Sequence, residues 1–154
     1  MLKDLVTQAR TQALALLERA RWLAPLVGRL AVGLLFLSTG WGKAHSLDKV
    51  TQFFSNLHIP MPALNAVVVA YSELICGGLL VLGLCTRLAT IPLIVSMIVA
   101  ILTAKLAGIH NVFDLVGADE FTYLCVLIML ALIGPGKVSL DRVIARGMGW
   151  SSRD

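Results

Sequence analysis

Four long apolar stretches dominate the pattern of hydrophobic and polar positions along the chain. They cover residues 26–42, 64–84, 88–106 and 115–134. A helix needs roughly 17–25 mostly apolar residues to cross the hydrocarbon layer of a bilayer, and the first three stretches meet that requirement. The fourth is uninterrupted only from Thr122 to Gly134, and it becomes long enough when it takes in Asp119 and Glu120. The pattern therefore predicts four membrane-spanning helices.

Composition supports this interpretation. Of the 154 residues, 58% are hydrophobic and 14% are charged, and the mean hydropathy is +0.86. Soluble domains contain about 45–50% apolar and about 25% charged residues, so these values disfavour a soluble domain and exclude a disordered chain. The net charge of +4 does not indicate a nucleic-acid partner unless the 13 basic residues line one face. We predict an all-α fold, an integral membrane four-helix bundle.

The basic residues orient the predicted spans. Nine flank them on one side, three lie on the other side, and Arg29 lies inside the first span. The nine are Lys3, Arg10, Arg19, Arg21, Arg87, Lys137, Arg142, Arg146 and Arg153, and the three are Lys43, Lys49 and Lys105. Because Lys and Arg accumulate on the cytoplasmic side of membranes, we predict that both termini are cytoplasmic, which favours four spans over three.

Two segments outside the spans have the spacing of amphipathic helices. The apolar spacing in residues 1–22 predicts an interfacial helix on the cytoplasmic membrane surface. Alternatively, the apolar face of this helix packs against a soluble partner. Residues 46–57 predict a second, shorter helix on the outer surface, ended by prolines. The chain thus divides into an N-terminal amphipathic helix (1–22), a transmembrane bundle (23–142) and a basic cytoplasmic tail (143–154).

Apart from Lys105, Asp119 and Glu120, which we assign to the outer ends of their spans, two charged residues lie inside predicted spans: Arg29 and Glu73. Such residues are costly in the membrane, usually face the protein interior and are usually paired. Both lie on stripes of small residues, which let membrane helices approach closely. With the spans aligned at their centres, Glu73 lies level with Gly33, so Arg29 can reach it and Lys43, about 15 Å above Gly33, cannot. The pair either fixes helix register or lines a polar pocket, and the sequence leaves both interpretations open.

Other residues limit the cofactors that we expect. The predicted spans contain no histidine, so a haem within one subunit is not expected. A flavin is not expected either, because no Gly-rich turn follows a strand. The histidines match no metal-binding spacing, and we predict no metal site. Asp119 and Glu120 are candidates for a proton path from Glu73 to the outside.

Several short motifs occur in a characteristic order. They are Arg29–Gly33 and Gly40–Lys43 in the first span, Glu73 with Gly77–Gly78 in the second, Leu82–Arg87 at the inner turn, and Gly134–Asp141 after the last span. Over about residues 26–142 the chain resembles the DoxX family of small four-span bacterial membrane proteins. The resemblance implies the bacterial inner membrane, and it marks Arg29, Lys43, Glu73 and Arg87 as candidate ligand-binding residues. Arg87 also has a structural interpretation, contact with lipid phosphates or with the last carbonyls of the second span.

The resemblance implies a redox setting more than a defined activity. Related proteins include the membrane subunit of a thiosulfate:quinone oxidoreductase and partners of superoxide dismutase and a sulfurtransferase. Our first hypothesis is a non-haem membrane subunit that binds a quinone or similar small molecule in the bundle. The alternatives are an anchor that recruits soluble redox proteins at the cytoplasmic face, and a small-solute transporter that acts as a homo-oligomer.

Overall fold

The computed structural model describes residues 2–147. Met1 and residues 148–154, which include Arg153 of the predicted tail, lie outside the described residues. Eight α-helices make up most of the described chain. They are α1 (Leu2–Ala20), α2 (Leu23–Ala44), α3 (Leu47–Asn56), α4 (Pro62–Leu82), α5 (Thr86–Ala100), α6 (Val112–Val116), α7 (Asp119–Ile133) and α8 (Leu140–Gly147). The predicted tail therefore begins within α8.

Helices α2, α4, α5 and α7 form the bundle. Each packs on two of the others, in the cyclic order α2, α4, α5, α7. Their inner faces bury a core of aliphatic and aromatic side chains, among them Val32, Phe36, Leu80, Leu93, Leu127 and Leu130. Their outer faces leave large apolar side chains exposed, such as Leu34, Ile75, Val95 and Leu132. An apolar core with an apolar exterior is the arrangement of a protein in contact with lipid, so the prediction of an all-α membrane bundle is confirmed.

Within residues 2–147, three helical segments are long and apolar enough to cross a membrane. They are Leu23–Ala44, Pro62–Leu82 and Thr86–Lys105, each within a few residues of a predicted span. The predicted fourth span differs, because Gly117 and Ala118 interrupt it and leave α6 separate from α7. Helix α7 has 15 residues, about 22 Å, which is shorter than the roughly 30 Å hydrocarbon layer. A fourth crossing and the cytoplasmic side of both termini stay predictions.

Glycines set the register of α2 against α4. A Cβ built on Gly77 would lie 2.5 Å from the backbone nitrogen of Leu37, and one on Gly40 would lie 2.8 Å from Cα of Leu74. Gly33, in turn, faces Leu80 and Val81. Backbones approach this closely only where no side chain intervenes. The two antiparallel helices are therefore held with Gly40 level with Glu73–Leu74.

The end of the bundle that carries α3, which the predicted orientation makes the outer end, is less regular than the middle. Helix α3 packs mainly on α4. Beyond Ala100, α5 widens into a π-helical turn over Ile101–Lys105, followed by a 3₁₀ turn over Leu106–Gly108. Widened turns of this kind often occur at functional sites. Here the irregular segment and α3 border an open space that the core does not fill.

Candidate functional site

Glu73 is buried at the middle of α4 with 1% of its surface exposed, and three polar groups surround its carboxylate. Lys43 Nζ lies 2.5 Å from Oε1. The Thr39 hydroxyl donates to Oε2 at 3.0 Å, and the Ser96 hydroxyl reaches Oε1 at 3.5 Å. Helices α2 and α5 thus supply one cation and two hydroxyls to a carboxylate on α4.

The predicted Arg29–Glu73 pair is wrong, and so is the statement that Lys43 cannot reach Glu73. The centres of the apolar stretches placed Gly33 level with Glu73, whereas the glycine contacts place Gly40 there. The difference is seven residues, about 10 Å along the axis. Along α2, Arg29 therefore lies about three turns from the level of Glu73, and Lys43 lies within one turn of it.

Arg29 instead joins separate segments at the opposite end of the bundle, the predicted inner end. Its guanidinium donates to the carbonyl oxygens of Pro135 at 2.5 Å and Val138 at 2.8 Å. It lies directly against Gly83, where the absence of a side chain leaves room for the guanidinium. The positive φ of 70° at this position also favours glycine. Only 2% of Arg29 is exposed. These contacts join α2 to the inner turn and to the segment after α7, and they give Arg29 a structural role.

The same inner end contains two more such contacts. Asp141 accepts hydrogen bonds from the backbone N–H groups of Cys85 at 2.8 Å and Thr86 at 3.4 Å, so it caps the start of α5. Arg87 donates to the carbonyl oxygen of Leu132 at 3.4 Å, near the end of α7. Arg87 therefore binds a terminal carbonyl, as its structural interpretation predicted, but on α7 rather than on the second span.

A cavity of about 520 Å³ lies at the outer end, bordered by α3 and the end of α5. Four charged residues line it: Lys43, Lys49, Lys105 and Glu120. Its remaining walls are mostly apolar, formed by Val50, Phe53, Phe54, Leu57, Met97, Val99, Ala100, Thr103 and Ala104. Lys43 belongs both to this lining and to the Glu73 ion pair, so it connects the buried carboxylate to the cavity.

The two predicted proton-path residues have different positions. Glu120 lines the cavity and pairs with Lys105, whose Nζ lies 3.3 Å from its Oε1. The other oxygen of Glu120, Oε2, is buried without a hydrogen-bond partner. Asp119 is exposed in the first turn of α7 and does not line the cavity. The geometry thus brings together Glu73, Lys43 and Glu120 and leaves Arg29, Arg87 and Asp119 elsewhere.

Sequence reasoning missed several parts of this site. Thr39 lies one turn before Lys43, and that spacing is a signal that could have placed both on one face of α2. Ser96 lies in the third predicted span, and the hydrophobic pattern does not distinguish it from its neighbours. Phe53 and Phe54 belong to the predicted outer helix of residues 46–57, and no sequence signal indicates a cavity beneath them. Within residues 2–147, no three His, Cys, Asp or Glu side chains form a group that could hold a metal ion.

Comparison with known proteins extends these observations. Residues 24–106 match the DoxX family model. The chain is 35% identical to the uncharacterized membrane protein Rv3486 of Mycobacterium tuberculosis, over 77% of this chain and 79% of that protein. It is 32% identical to the inner membrane protein YphA of Escherichia coli (80% and 91%), and 35% identical to the "Putative oxidoreductase CatD" of Bacillus subtilis (79% and 87%). No solved structure matches.

Proposed function

Because the chain belongs to the DoxX family of membrane proteins, we propose that it is a non-haem membrane subunit of a redox system whose outer cavity binds a quinone or a similar small ring molecule. The observation that carries this proposal is the Glu73–Lys43 ion pair, buried at its carboxylate and open to the cavity at its lysine. One relative is named as an oxidoreductase, which supports the redox class.

The cost of the ion pair is the first argument. A charged side chain at the centre of a membrane helix costs about 2.5–3.5 kcal/mol, and a buried ion pair is often no more stabilising than apolar residues of similar volume. The glycine contacts already hold α2 against α4 without it. A costly pair that packing does not require supports a functional role.

The chemistry of the cavity is the second argument. A lysine ammonium has three donors, and Glu73 accepts from it, so donors remain for a carbonyl oxygen of a bound ligand. Phe53 and Phe54 provide aromatic surface for a ring. A volume of about 520 Å³ lies within the usual range of about 300–1,000 Å³ for small-molecule sites. Electrons for a bound quinone would come from a partner redox protein.

Substitution of Glu73 tests the proposal. We expect Glu73→Gln to weaken the binding of a short-chain benzoquinone to the purified protein by about tenfold, measured by isothermal titration calorimetry in detergent micelles. Without the carboxylate, Lys43 loses the charged partner that orients it. Loss of a charged hydrogen bond is worth about 1.5–3 kcal/mol, and 1.4 kcal/mol is a factor of ten.

Glu18→Gln is the matched control, because Glu18 is an exposed carboxylate on α1 whose only ion pair is with its neighbour Arg21 in the described chain. It should bind quinone like the wild type. Equal affinity in the wild type and in Glu73→Gln would refute the role of the ion pair, provided that circular dichroism shows the same helix content in both.

A second candidate, the membrane anchor, is supported by α1. As far as its residues are described, this helix makes no extended packing contact with the bundle, and it exposes apolar side chains such as Val6, Leu16 and Leu17. We propose that it recruits a soluble redox protein at the cytoplasmic face. Deletion of residues 2–20 should then abolish co-purification of that protein with membranes while the bundle stays inserted. Unchanged co-purification would contradict the anchor.

A further inference from the structure

The charges that line the outer cavity do not balance. Lys43 is paired with Glu73, and Lys105 is paired with Glu120. Lys49 lines the same cavity, and no carboxylate of the described residues lies within 4 Å of its ammonium. With both pairs neutral, the cavity carries one positive charge in excess.

We infer that the cavity selects ligands that carry one negative charge on an apolar ring, and that Lys49 determines this preference. The inference rests on the proposed function, because it names the charge class of the ring molecule bound there. An acidic ring compound would place its ring against Phe53 and Phe54 and its anionic oxygen toward Lys49, which lies on the same helix.

The position of Lys49 determines how strong the preference should be. Lys49 is exposed at the edge of the cavity, where solvent and salt screen its charge. Exposed ion pairs contribute at most about 1 kcal/mol of free energy. We therefore expect Lys49 to raise the affinity for the anionic ligand, relative to the neutral one, by about threefold to fivefold. Charge reversal at this position should lower the preference for the anion further than removal of the charge does.

The test compares two ligands of almost the same shape. One is 1,4-naphthoquinone, which is neutral, and the other is 2-hydroxy-1,4-naphthoquinone, whose hydroxyl is ionised at neutral pH. Both are titrated against the full-length protein in phosphatidylcholine vesicles, which carry no net surface charge. The quantity compared is the ratio of the two Kd values. Partitioning of each ligand into the lipid is the same for every variant and cancels when variants are compared.

Four proteins are measured: the wild type, Lys49→Gln, Lys49→Glu and the control Lys137→Gln, in which an exposed lysine far from the cavity is replaced. We expect the preference for the anion to fall by about threefold to fivefold in Lys49→Gln, to fall further in Lys49→Glu, and to stay unchanged in the control.

The outcomes separate the inference from the function on which it rests. If both ligands bind and the ratio is the same in the wild type and both Lys49 variants, the charge preference is refuted and quinone binding stands. If the control shifts the ratio as much as Lys49→Gln, the preference comes from general surface charge and the inference is also overturned. If neither ligand binds the wild type, the proposed function fails, and the inference fails with it.

Discussion

Removal of Lys43 should destabilise the bundle because it leaves the carboxylate of Glu73 buried without its cation. Breaking a buried ion pair by removing one partner costs about 3–5 kcal/mol. Lys43 is itself 33% exposed, and Thr39 and Ser96 still donate to the carboxylate. We therefore expect Lys43→Met to cost about 3 kcal/mol, the lower end of that range.

Removal of both charges should cost less than removal of the lysine alone. In Lys43→Met/Glu73→Gln no charge remains to be buried, and the amide of the new glutamine can still bond to Thr39 and Ser96. We expect the double variant to lose about 1 kcal/mol, so that the second substitution restores about 2 kcal/mol to the first. A coupling of this size is typical of residues in one polar network.

The assay is reversible unfolding in mixed micelles with increasing SDS, followed by circular dichroism. Lys49→Met is the matched control, since it makes the same chemical change at an exposed lysine with no carboxylate partner in the described chain. It should change the free energy of unfolding by less than about 0.5 kcal/mol. If Lys43→Met costs no more than this control, or if the double variant is less stable than Lys43→Met, the argument from burial is refuted.

Three further predictions concern packing and topology. Gly77→Ala should lower the free energy of unfolding by about 1–3 kcal/mol, because its Cβ would meet the backbone nitrogen of Leu37 at 2.5 Å. Its control is Gly42→Ala, since a Cβ at Gly42 has nothing within 4 Å. This control should be close to neutral in the same unfolding assay. Arg29→Lys should lower the free energy of unfolding by about 2 kcal/mol, because an ammonium does not reproduce the planar guanidinium that binds two carbonyl oxygens. The quinone affinity of this variant should stay unchanged. A loss of affinity without a loss of stability would show that Arg29 takes part in ligand binding. Four spans with cytoplasmic termini predict that a fluorescent protein fused after the last residue fluoresces. They also predict that alkaline phosphatase fused after His110 is active. An inactive phosphatase or a non-fluorescent C-terminal fusion would contradict that topology.

The helices of this protein could be predicted because hydrophobic pattern is a local property. A stretch of apolar residues determines that a helix enters the membrane, wherever the other helices lie. The predicted spans 26–42 and 64–84 therefore coincide with α2 and α4 to within three residues at each end. The fourth stretch was less predictable, because an average over residues 115–134 does not show the break at Gly117–Ala118 that separates α6 from α7.

The candidate site was predicted only in part. The sequence marked Glu73 as a buried charge and Lys43 as a residue of interest, and both belong to the site. It assigned Glu73 the wrong cation, because the relative height of two helices does not follow from the centres of their apolar stretches. At the level where Gly40 meets Glu73, α2 has four residues left before its end at Ala44, whereas α4 began eleven residues earlier at Pro62. Helix α4 therefore extends further toward this end than α2 does, and α3 packs mainly on α4.

By itself, then, the sequence determined the class of the protein, the helices that form it and the two charges that had to be buried. These follow from composition and periodicity, which each segment carries independently of the others. Only the tertiary structure decided which charges meet, because the contacts of Gly33, Gly40 and Gly77 set the register of α2 against α4. Relative to the predicted register, α2 is shifted by two turns, and this shift places Lys43 instead of Arg29 beside Glu73. The cavity was likewise a matter of tertiary structure, since it is lined by residues from several separate helices that only the assembled bundle brings together.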